Sequence, residues 1–331
     1  MKENKRKRNV LLNFAKTVIV VGMVYFLIKR TDVSRLWSVI ADSSPGFLML
    51  VILCLLVEKI FMTARLYVAL RLKDIHMPFL SILKYNFISI FVGIFLPTKL
   101  GVDAMRIFYI SKYTGQTIHS FSSVALDRFI NMTIITLFAS TSYFFGGYIF
   151  SRQDLLIALV PMWAGIASVF IFMSKKLRTF IRGRVANIKF LKKIISWIGE
   201  VVRSFYEYNS YKRYILYLFF LALGFQLVRV AVVYFLARSL DMKVPFDYLF
   251  IFLPVVVILG MIPLSIAGIG ITQGGIVYLF ESIGISREEA LGFSIMIYVL
   301  RLILNLPGLY FFYREGFDTI ASSIARQETS S

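Results

Sequence analysis

The chain has 331 residues, of which 58% are hydrophobic and 16% are aromatic, and it carries a formal net charge of +19. This composition excludes an ordinary soluble protein, because a water-soluble domain cannot cover so much apolar side-chain surface. The charge does not indicate nucleic-acid binding, because the basic residues lie mostly at the ends of apolar segments.

Six apolar runs are long enough to cross a bilayer core of about 30 Å. The first run follows a basic amino terminus but lacks a small-residue cleavage site, so we interpret it as an uncleaved membrane span. The predicted spans are residues 10–28, 46–70, 121–145, 155–173, 214–236 and 290–312.

A proline and glycine break, at Pro97 and Gly101, interrupts the apolar sequence between the second and third predicted spans. Segment 175–213 holds eleven basic and two acidic residues, so the positive-inside rule places it in the cytoplasm together with the amino terminus. The number of full crossings between them must then be even, and four clear spans satisfy this. We therefore predict that residues 81–112 enter and leave from the cytoplasmic side as a re-entrant hairpin.

A second break, at Pro263, Gly268 and Gly270, lies in the apolar residues 246–280. Parity leaves two alternatives open here, a re-entrant hairpin or two full crossings. Short length and the glycines favour a hairpin, which would open from outside. Matched broken segments in two halves are typical of transporters built from inverted repeats. The predicted repeat pairs Pro97 with Pro263, Gly101 with Gly268, Gly115 with Gly284, and Arg128 with Arg301.

The predicted fold is therefore an all-α polytopic integral membrane protein with about six full spans and two re-entrant hairpins, up to eight spans in all. Residues 1–313 form one transmembrane domain that includes the cytoplasmic basic segment 174–213. Residues 314–331 form a short cytoplasmic tail. We expect a multi-pass protein of the cell membrane with both termini in the cytoplasm.

Ionisable residues inside the apolar segments are the candidate site residues, because a charge in the bilayer is costly and marks function by default. In the functional interpretation, basic side chains meet a phosphate in a polar groove and the aspartates orient the arginines. The alternative is structural: Arg106 and Arg128 extend to the lipid headgroups, and Arg65 lies at the cytoplasmic interface. In the same alternative, Glu58 with Lys59 pairs with Arg229 to hold the helices together. The candidate substrate-binding residues are Lys99, Asp103, Arg106, Asp127, Arg128 and Arg301.

Signals for other chemistry are weak. His76 and His119 are far apart in sequence, and Cys54 is the single cysteine, so we expect no metal site. No nucleotide-binding motif is present, and we expect neither a cofactor nor direct use of ATP.

The two breaks and the charges around them resemble the transmembrane domain of the lysylphosphatidylglycerol synthase/flippase family, which also occurs as stand-alone flippase-like proteins. Where this family often places arginine and glutamate after the second break, the chain has Thr272 and Gln273. The residues that carry the resemblance are Pro97, Lys99, Gly101, Asp103, Arg106, Asp127, Arg128, Pro263, Gly268, Gly270, Arg301, Pro307 and Gly308.

The resemblance implies a lipid flippase, in which an anionic or aminoacylated phospholipid crosses through a polar groove. It also implies no enzyme activity, because we expect the soluble aminoacyl-transfer domain of the full-length synthases to be missing. Two alternatives stay open: a membrane-embedded transferase that acts on a lipid-linked substrate, and a non-transporting partner of an envelope-lipid enzyme. The expected partners are membrane lipids, with a homo-oligomer or an envelope-lipid enzyme as further options.

Overall fold

The computed structural model describes residues 43–95, 100–145, 159–160, 162–167, 204, 207–260 and 271–316, and the regular structure of these residues is entirely helical. The predicted all-α fold is confirmed. The predicted span 10–28, most of span 155–173, most of the basic segment and nearly all of the tail lie outside the described residues. The helices are α1 (Pro45–Arg71), α2 (Phe79–Gly93), α3 (Leu100–Thr114), α4 (Thr117–Phe145), α5 (Lys212–Ser239), α6 (Leu249–Leu259), α7 (Ile271–Glu281), α8 (Arg287–Asn305) and α9 (Pro307–Phe311).

Four helical segments in the described part of the chain are long and apolar enough to cross a membrane. They coincide with four of the predicted spans, 46–70, 121–145, 214–236 and 290–312. Since α9 continues directly from α8, the last of them runs on through Pro307 to Arg314. The four segments are Pro45–Arg71, Thr117–Thr141, Lys212–Ser239 and Arg287–Arg314.

Helices α2 and α3 form the first hairpin. Each has 15 residues and is about 22 Å long, which is shorter than the bilayer core. The two arms pack against each other, and a Cβ on Gly93 would overlap the side chain of Val102. Gly101 lies in the first turn of α3, whereas Pro97 and Lys99 fall in 96–99, outside the described residues.

Helices α6 and α7 are shorter still, with 11 residues each, and they also pack against each other. The described part of each helix is about 16 Å long, which is shorter than a bilayer core, and the choice between a hairpin and two full crossings stays a prediction. As in the first hairpin, the arms touch at a glycine, because a Cβ on Gly275 would overlap Leu259. Pro263, Gly268 and Gly270 lie in 261–270, outside the described residues.

Backbone conformation supports the predicted repeat. In the described part of the chain, Asp74 and Asp241 are the non-glycine residues with positive φ, at 54° and 55°. Each aspartate follows a long helix and precedes a hairpin, and each is followed by three residues and then Pro-Phe. Gly115 and Gly284, which the sequence pairs with each other, also have positive φ, 71° and 81°, and follow α3 and α7.

The two copies are inverted, because their first helices, α1 and α5, run antiparallel. At one end, the Ser44 backbone N–H donates to the Ser239 carbonyl at 2.8 Å. At the other end, the Lys73 amine donates to Glu207 at 2.6 Å, just before α5 begins. Burial lowers the pKa of the Lys73 amine from its usual value, and the Glu207 carboxylate partly offsets this shift. The hairpins therefore start from opposite ends of the helix bundle.

Candidate functional site, a cavity lined by arginines

A cavity of about 200 Å³ lies where all four membrane-length segments meet the hairpins. We call it the arginine cavity, because five of its lining residues in the described part of the chain are arginines, against one aspartate. Its side chains come from α1, α3, α4, α5, α6 and α8. They are Met62, Arg65, Arg106, Asp127, Arg128, Asn131, Met132, Phe225, Arg229, Val257 and Arg301.

Arg65 is held tightly on one side of the cavity. Its Nε donates to Asp127 Oδ1 at 2.7 Å and its Nη1 donates to Asn131 Oδ1 at 2.9 Å, so α1 is tied to α4. The guanidinium also lies over the Phe225 ring, 4.7 Å from its centroid. Only 4% of this side chain is exposed, so Arg65 is buried in the protein, and its place at the cytoplasmic interface stays a prediction.

The same network continues to α5. Gln226 Nε2 donates to Asn131 Oδ1 at 3.0 Å, and Arg229 Nη1 donates to Gln226 Oε1 at 3.4 Å. Because buried polar groups are costly without partners, this chain of contacts fixes Arg65 as part of the packed structure. Arg229 is held more loosely, because its Nε is buried without a hydrogen-bond partner among the described residues.

Asp103 on α3 bridges two arginines. Its Oδ1 accepts from Arg106 Nη1 at 3.2 Å, one helical turn away, and its Oδ2 lies 3.4 Å from Arg128 Nη1 on α4. Arg106 also donates to the Met62 sulfur at 2.9 Å, and 10% of its side chain is exposed. Arg128 keeps 28% of its side chain exposed. Arg106 is therefore enclosed, whereas Arg128 remains accessible from the cavity.

Arg301 is the most accessible of the arginines for which an ion pair is found in the described part. Its Nη2 lies 3.6 Å from Glu58 Oε2, and 39% of its side chain is exposed. The residue stands near the middle of the segment Arg287–Arg314. The ion pair that Glu58 forms within the described residues is with Arg301, and the predicted partner Arg229 attracts Glu58 electrostatically.

Four of the six predicted substrate-binding residues line the cavity, namely Arg106, Asp127, Arg128 and Arg301. A fifth, Asp103, contacts two of these arginines, Arg106 and Arg128. The sixth, Lys99, lies outside the described residues. Sequence reasoning missed Asn131 and Gln226, and it did not predict that Arg65 lines the cavity. Helical spacing carried a usable signal, because Arg65 lies seven residues after Glu58 and Asn131 lies four after Asp127, so each pair shares a helix face.

The charge of the site favours an anion. Five arginines face the arginine cavity, and the acids in contact with them within the described residues are Asp103, Asp127 and Glu58. The excess is positive, and guanidinium groups bind phosphate through paired, planar hydrogen bonds. Within the same residues, no group of three or more His, Cys, Asp or Glu side chains is arranged to hold a metal ion.

Comparison with known proteins identifies the family of this chain. The family model described as the lysylphosphatidylglycerol synthase TM region matches residues 13–308. The chain belongs to this family. A UPF0104 membrane protein of Methanothermobacter thermautotrophicus is 23% identical over 314 residues, which cover 88% of this chain and 89% of the relative. A UPF0104 membrane protein of Pyrococcus horikoshii is 22% identical over 303 residues, 84% of this chain and 89% of the relative. No solved structure matches the chain significantly.

Family membership confirms the resemblance predicted from the breaks and charges, and with it a multi-pass membrane protein. The matched region, residues 13–308, includes both hairpins and every lining residue of the arginine cavity.

Proposed function

We propose that this protein moves a phospholipid, or another lipid that carries a phosphate, between the two leaflets of the membrane. The observation that carries the proposal is the pair Arg128 and Arg301, two accessible cations inside a cavity built by the membrane-length segments. The description of the family, which names a phospholipid synthase, supports a lipid as the substrate.

The contacts of the arginines divide them into two roles. Arg65 has short hydrogen bonds and a side chain that is 4% exposed, so it stabilises the fold. Arg128 and Arg301 have looser ion pairs, at 3.4 and 3.6 Å, and side chains that are 28% and 39% exposed. A phosphate oxygen can replace the carboxylate at either of these two arginines without breaking a tightly packed network.

The cavity would act by lowering the cost of carrying charge through hydrocarbon. A single charged side chain at the bilayer centre costs about 2.5–3.5 kcal/mol on insertion scales. A headgroup that remains paired with Arg128 or Arg301 avoids much of this cost, while its acyl chains stay in lipid. Movement down a gradient of lipid then needs no nucleotide.

The aspartates favour transport over group transfer. Asp127 accepts from Arg65 at 2.7 Å, and Asp103 is shared by Arg106 and Arg128. A carboxylate whose oxygens already accept from arginine donors orients those arginines, which suits a binding site better than a nucleophile or a proton donor. We therefore propose that both aspartates position the arginines.

The test is transbilayer movement of fluorescent phosphatidylglycerol in proteoliposomes, measured by dithionite quenching of the outer leaflet. We expect Arg128→Ala and Arg301→Ala each to slow the movement at least about tenfold, equivalent to 1.4 kcal/mol. Arg238→Ala is the matched control, because Arg238 is exposed and contacts Tyr234 on its own helix. Equal rates for all four proteins and for protein-free vesicles would contradict the proposal.

A further inference from the structure

Three arginines of the arginine cavity each carry a donor that has no acceptor. The Nε atoms of Arg106, Arg229 and Arg301 are buried and make no hydrogen bond among the described residues. All three residues line the arginine cavity, and Arg106 and Arg229 are only 8% and 9% exposed. A buried charged donor is costly without an acceptor. The three N–H groups therefore need acceptor oxygens that the described part of the chain does not supply.

These three arginines reach the cavity from three different helices, α3, α5 and α8, and each is already held at its other end. Arg106 Nη1 donates to Asp103 at 3.2 Å, and Arg229 Nη1 donates to Gln226 at 3.4 Å. The Nη2 atom of Arg301 lies 3.6 Å from Glu58. In each guanidinium a terminal nitrogen contacts the protein, so the Nε–H group is the part that is left for a ligand.

The charge around the cavity has an excess of two positive charges among the described residues. Five arginines line it, and the acids in contact with them are Asp103, Asp127 and Glu58. A phosphodiester carries a single negative charge and has two unsubstituted oxygens. A phosphomonoester carries about −1.5 to −2 at pH 7 and has three strong acceptor oxygens. The monoester therefore matches both the excess of charge and the three donors.

The described part of the site is unfavourable for a headgroup that carries an ammonium group. Its acids are already paired with arginines. The aromatic ring in the cavity wall, Phe225, already interacts with two guanidinium groups, those of Arg65 at 4.7 Å and Arg229 at 5.7 Å from its centroid. An added cation would compete with these arginines for every carboxylate and for the ring, and the surrounding positive charge would repel it.

We propose that the arginine cavity selects a lipid with a terminal phosphate, a phosphomonoester such as phosphatidic acid, over lipids whose phosphate is a diester or whose headgroup carries an amine. This inference rests on the proposed function and names the class of its substrate. In the bound state, the Nε–H groups of Arg106, Arg229 and Arg301 donate to the terminal phosphate oxygens. Phosphatidylglycerol has one fewer such oxygen and less charge, so it binds the same site more weakly.

The direct test is calorimetric titration of wild-type protein in detergent with short-chain lipids of equal acyl length. We expect phosphatidic acid to bind about tenfold more tightly than phosphatidylglycerol, equivalent to 1.4 kcal/mol, and phosphatidylethanolamine to bind most weakly. Inorganic phosphate is the arm for a free anion and should bind more weakly than phosphatidic acid. Equal affinity for phosphatidic acid and phosphatidylglycerol would overturn the preference, and equal affinity for phosphatidic acid and inorganic phosphate would overturn the lipid.

The pH dependence of the same titration isolates the second charge of the phosphate. The second pKa of a phosphomonoester is about 6, so the dianion is lost as the pH falls from about 7.5 to about 5.5. We expect the affinity for phosphatidic acid to fall about fourfold over this range and that for phosphatidylglycerol to stay constant. Both lipids face the same described groups, the five arginines with Glu58, Asp103 and Asp127, so the diester is the control for titration of the protein. An equal loss for both lipids would overturn the preference for the dianion.

A matched pair of variants on α5 tests the donors. Arg229→Gln removes one of the three, whereas Arg238→Gln changes an exposed arginine of the same helix. We expect the preference for phosphatidic acid over phosphatidylglycerol to fall from about tenfold to about threefold in Arg229→Gln and to stay unchanged in Arg238→Gln. Equal preferences in the two variants would remove Arg229 from the phosphate site. If Arg229→Gln does not fold, the wild-type comparison of lipids decides the inference alone.

The outcomes separate this inference from the proposed function. If wild-type protein binds phosphatidic acid more tightly but moves neither lipid faster than protein-free vesicles, the proposed function fails and the selectivity stands. If phosphatidylglycerol moves and phosphatidic acid neither binds more tightly nor moves faster, the proposed function stands and the selectivity fails.

Discussion

At the residue scale, two arginines in the same cavity are assigned opposite roles by their surroundings. Arg65 is bonded at 2.7 Å and 4% exposed, whereas Arg301 has an ion pair of 3.6 Å and is 39% exposed. Removal of the Arg65 side chain would leave Asp127 buried and unpaired. Arg301 has a weaker attachment that an anion can replace.

Arg65→Ala should therefore destabilise the protein strongly. Loss of one partner of a buried ion pair costs about 3–5 kcal/mol, because the Asp127 charge then remains buried without compensation. Thermal unfolding in detergent measures the effect. The control Arg238→Ala should unfold like the wild type, and an Arg65→Ala protein with that same stability would disprove the structural role.

Glu58→Gln should raise the affinity for an anion, whereas Arg65→Ala lowers the stability of the protein. The substitution keeps the shape of the side chain but removes the charge that competes for Arg301. We expect the Kd for short-chain phosphatidylglycerol in detergent to fall about fivefold, which corresponds to roughly 1 kcal/mol. Glu281→Gln, an exposed change at the end of α7, is the control. Weaker binding by Glu58→Gln would refute the competition.

Part of this site could be predicted from the sequence. The rest depends on how the helices pack, which the local sequence does not show. Asp103 and Arg106 stand three residues apart, so helical spacing alone places them on one face. Arg65 and Asp127 are separated by 62 positions along the chain, and their pairing depends on how α1 packs against α4. An arginine near the end of an apolar run has the same local sequence at an interface as in a core.

At the element scale, the long helices are predictable and their packing is not. Apolar length was enough to find α1, α4, α5 and α8, because a bilayer demands continuous apolar runs. The second hairpin could not be decided by charge parity, since either topology leaves the carboxyl tail on the same side. The described parts of α6 and α7 are short and pack against each other, as a hairpin requires, and the number of crossings here stays a prediction.

Gly308→Ala tests the close packing of α9 on the first hairpin. A Cβ at Gly308 would overlap the carbonyl oxygen of Phe87, which is backbone and cannot turn away. We expect a loss of about 1–3 kcal/mol of stability, typical of overpacking. In Gly46→Ala, the added methyl group has nothing within 4 Å and should be tolerated. Equal thermal unfolding of the two variants would show that α9 does not pack this closely.

At the scale of the whole molecule, the inverted repeat places two unlike pockets in equivalent positions. The offset that relates Asp74 to Asp241 pairs Glu58, which lines a cavity between α1, α2 and α8, with Phe225 of the arginine cavity. It pairs Met62 with Arg229 in the same way. The arginine cavity is therefore the more positive of the two.

The antiparallel arrangement of α1 and α5 predicts that two introduced cysteines, one at the start of α1 and one at the end of α5, can form a disulfide bond. Cys54 is the single cysteine, so Ser44→Cys with Ser239→Cys can be tested in a Cys54→Ala background. We expect oxidation to form the bond, since the backbones at these positions are joined by a hydrogen bond of 2.8 Å. Ser44→Cys with Arg71→Cys, at opposite ends of α1, should stay reduced. The reverse pattern on thiol-labelling gels would exclude the inverted repeat.

The central claim is that Arg128 and Arg301 carry a lipid phosphate through the membrane. The most direct measurement is the initial rate of phosphatidylglycerol movement in proteoliposomes that contain the double variant Arg128→Ala/Arg301→Ala, with thermal unfolding matched to the wild type. The predicted rate is that of protein-free vesicles. A rate equal to that of the wild type would contradict the claim.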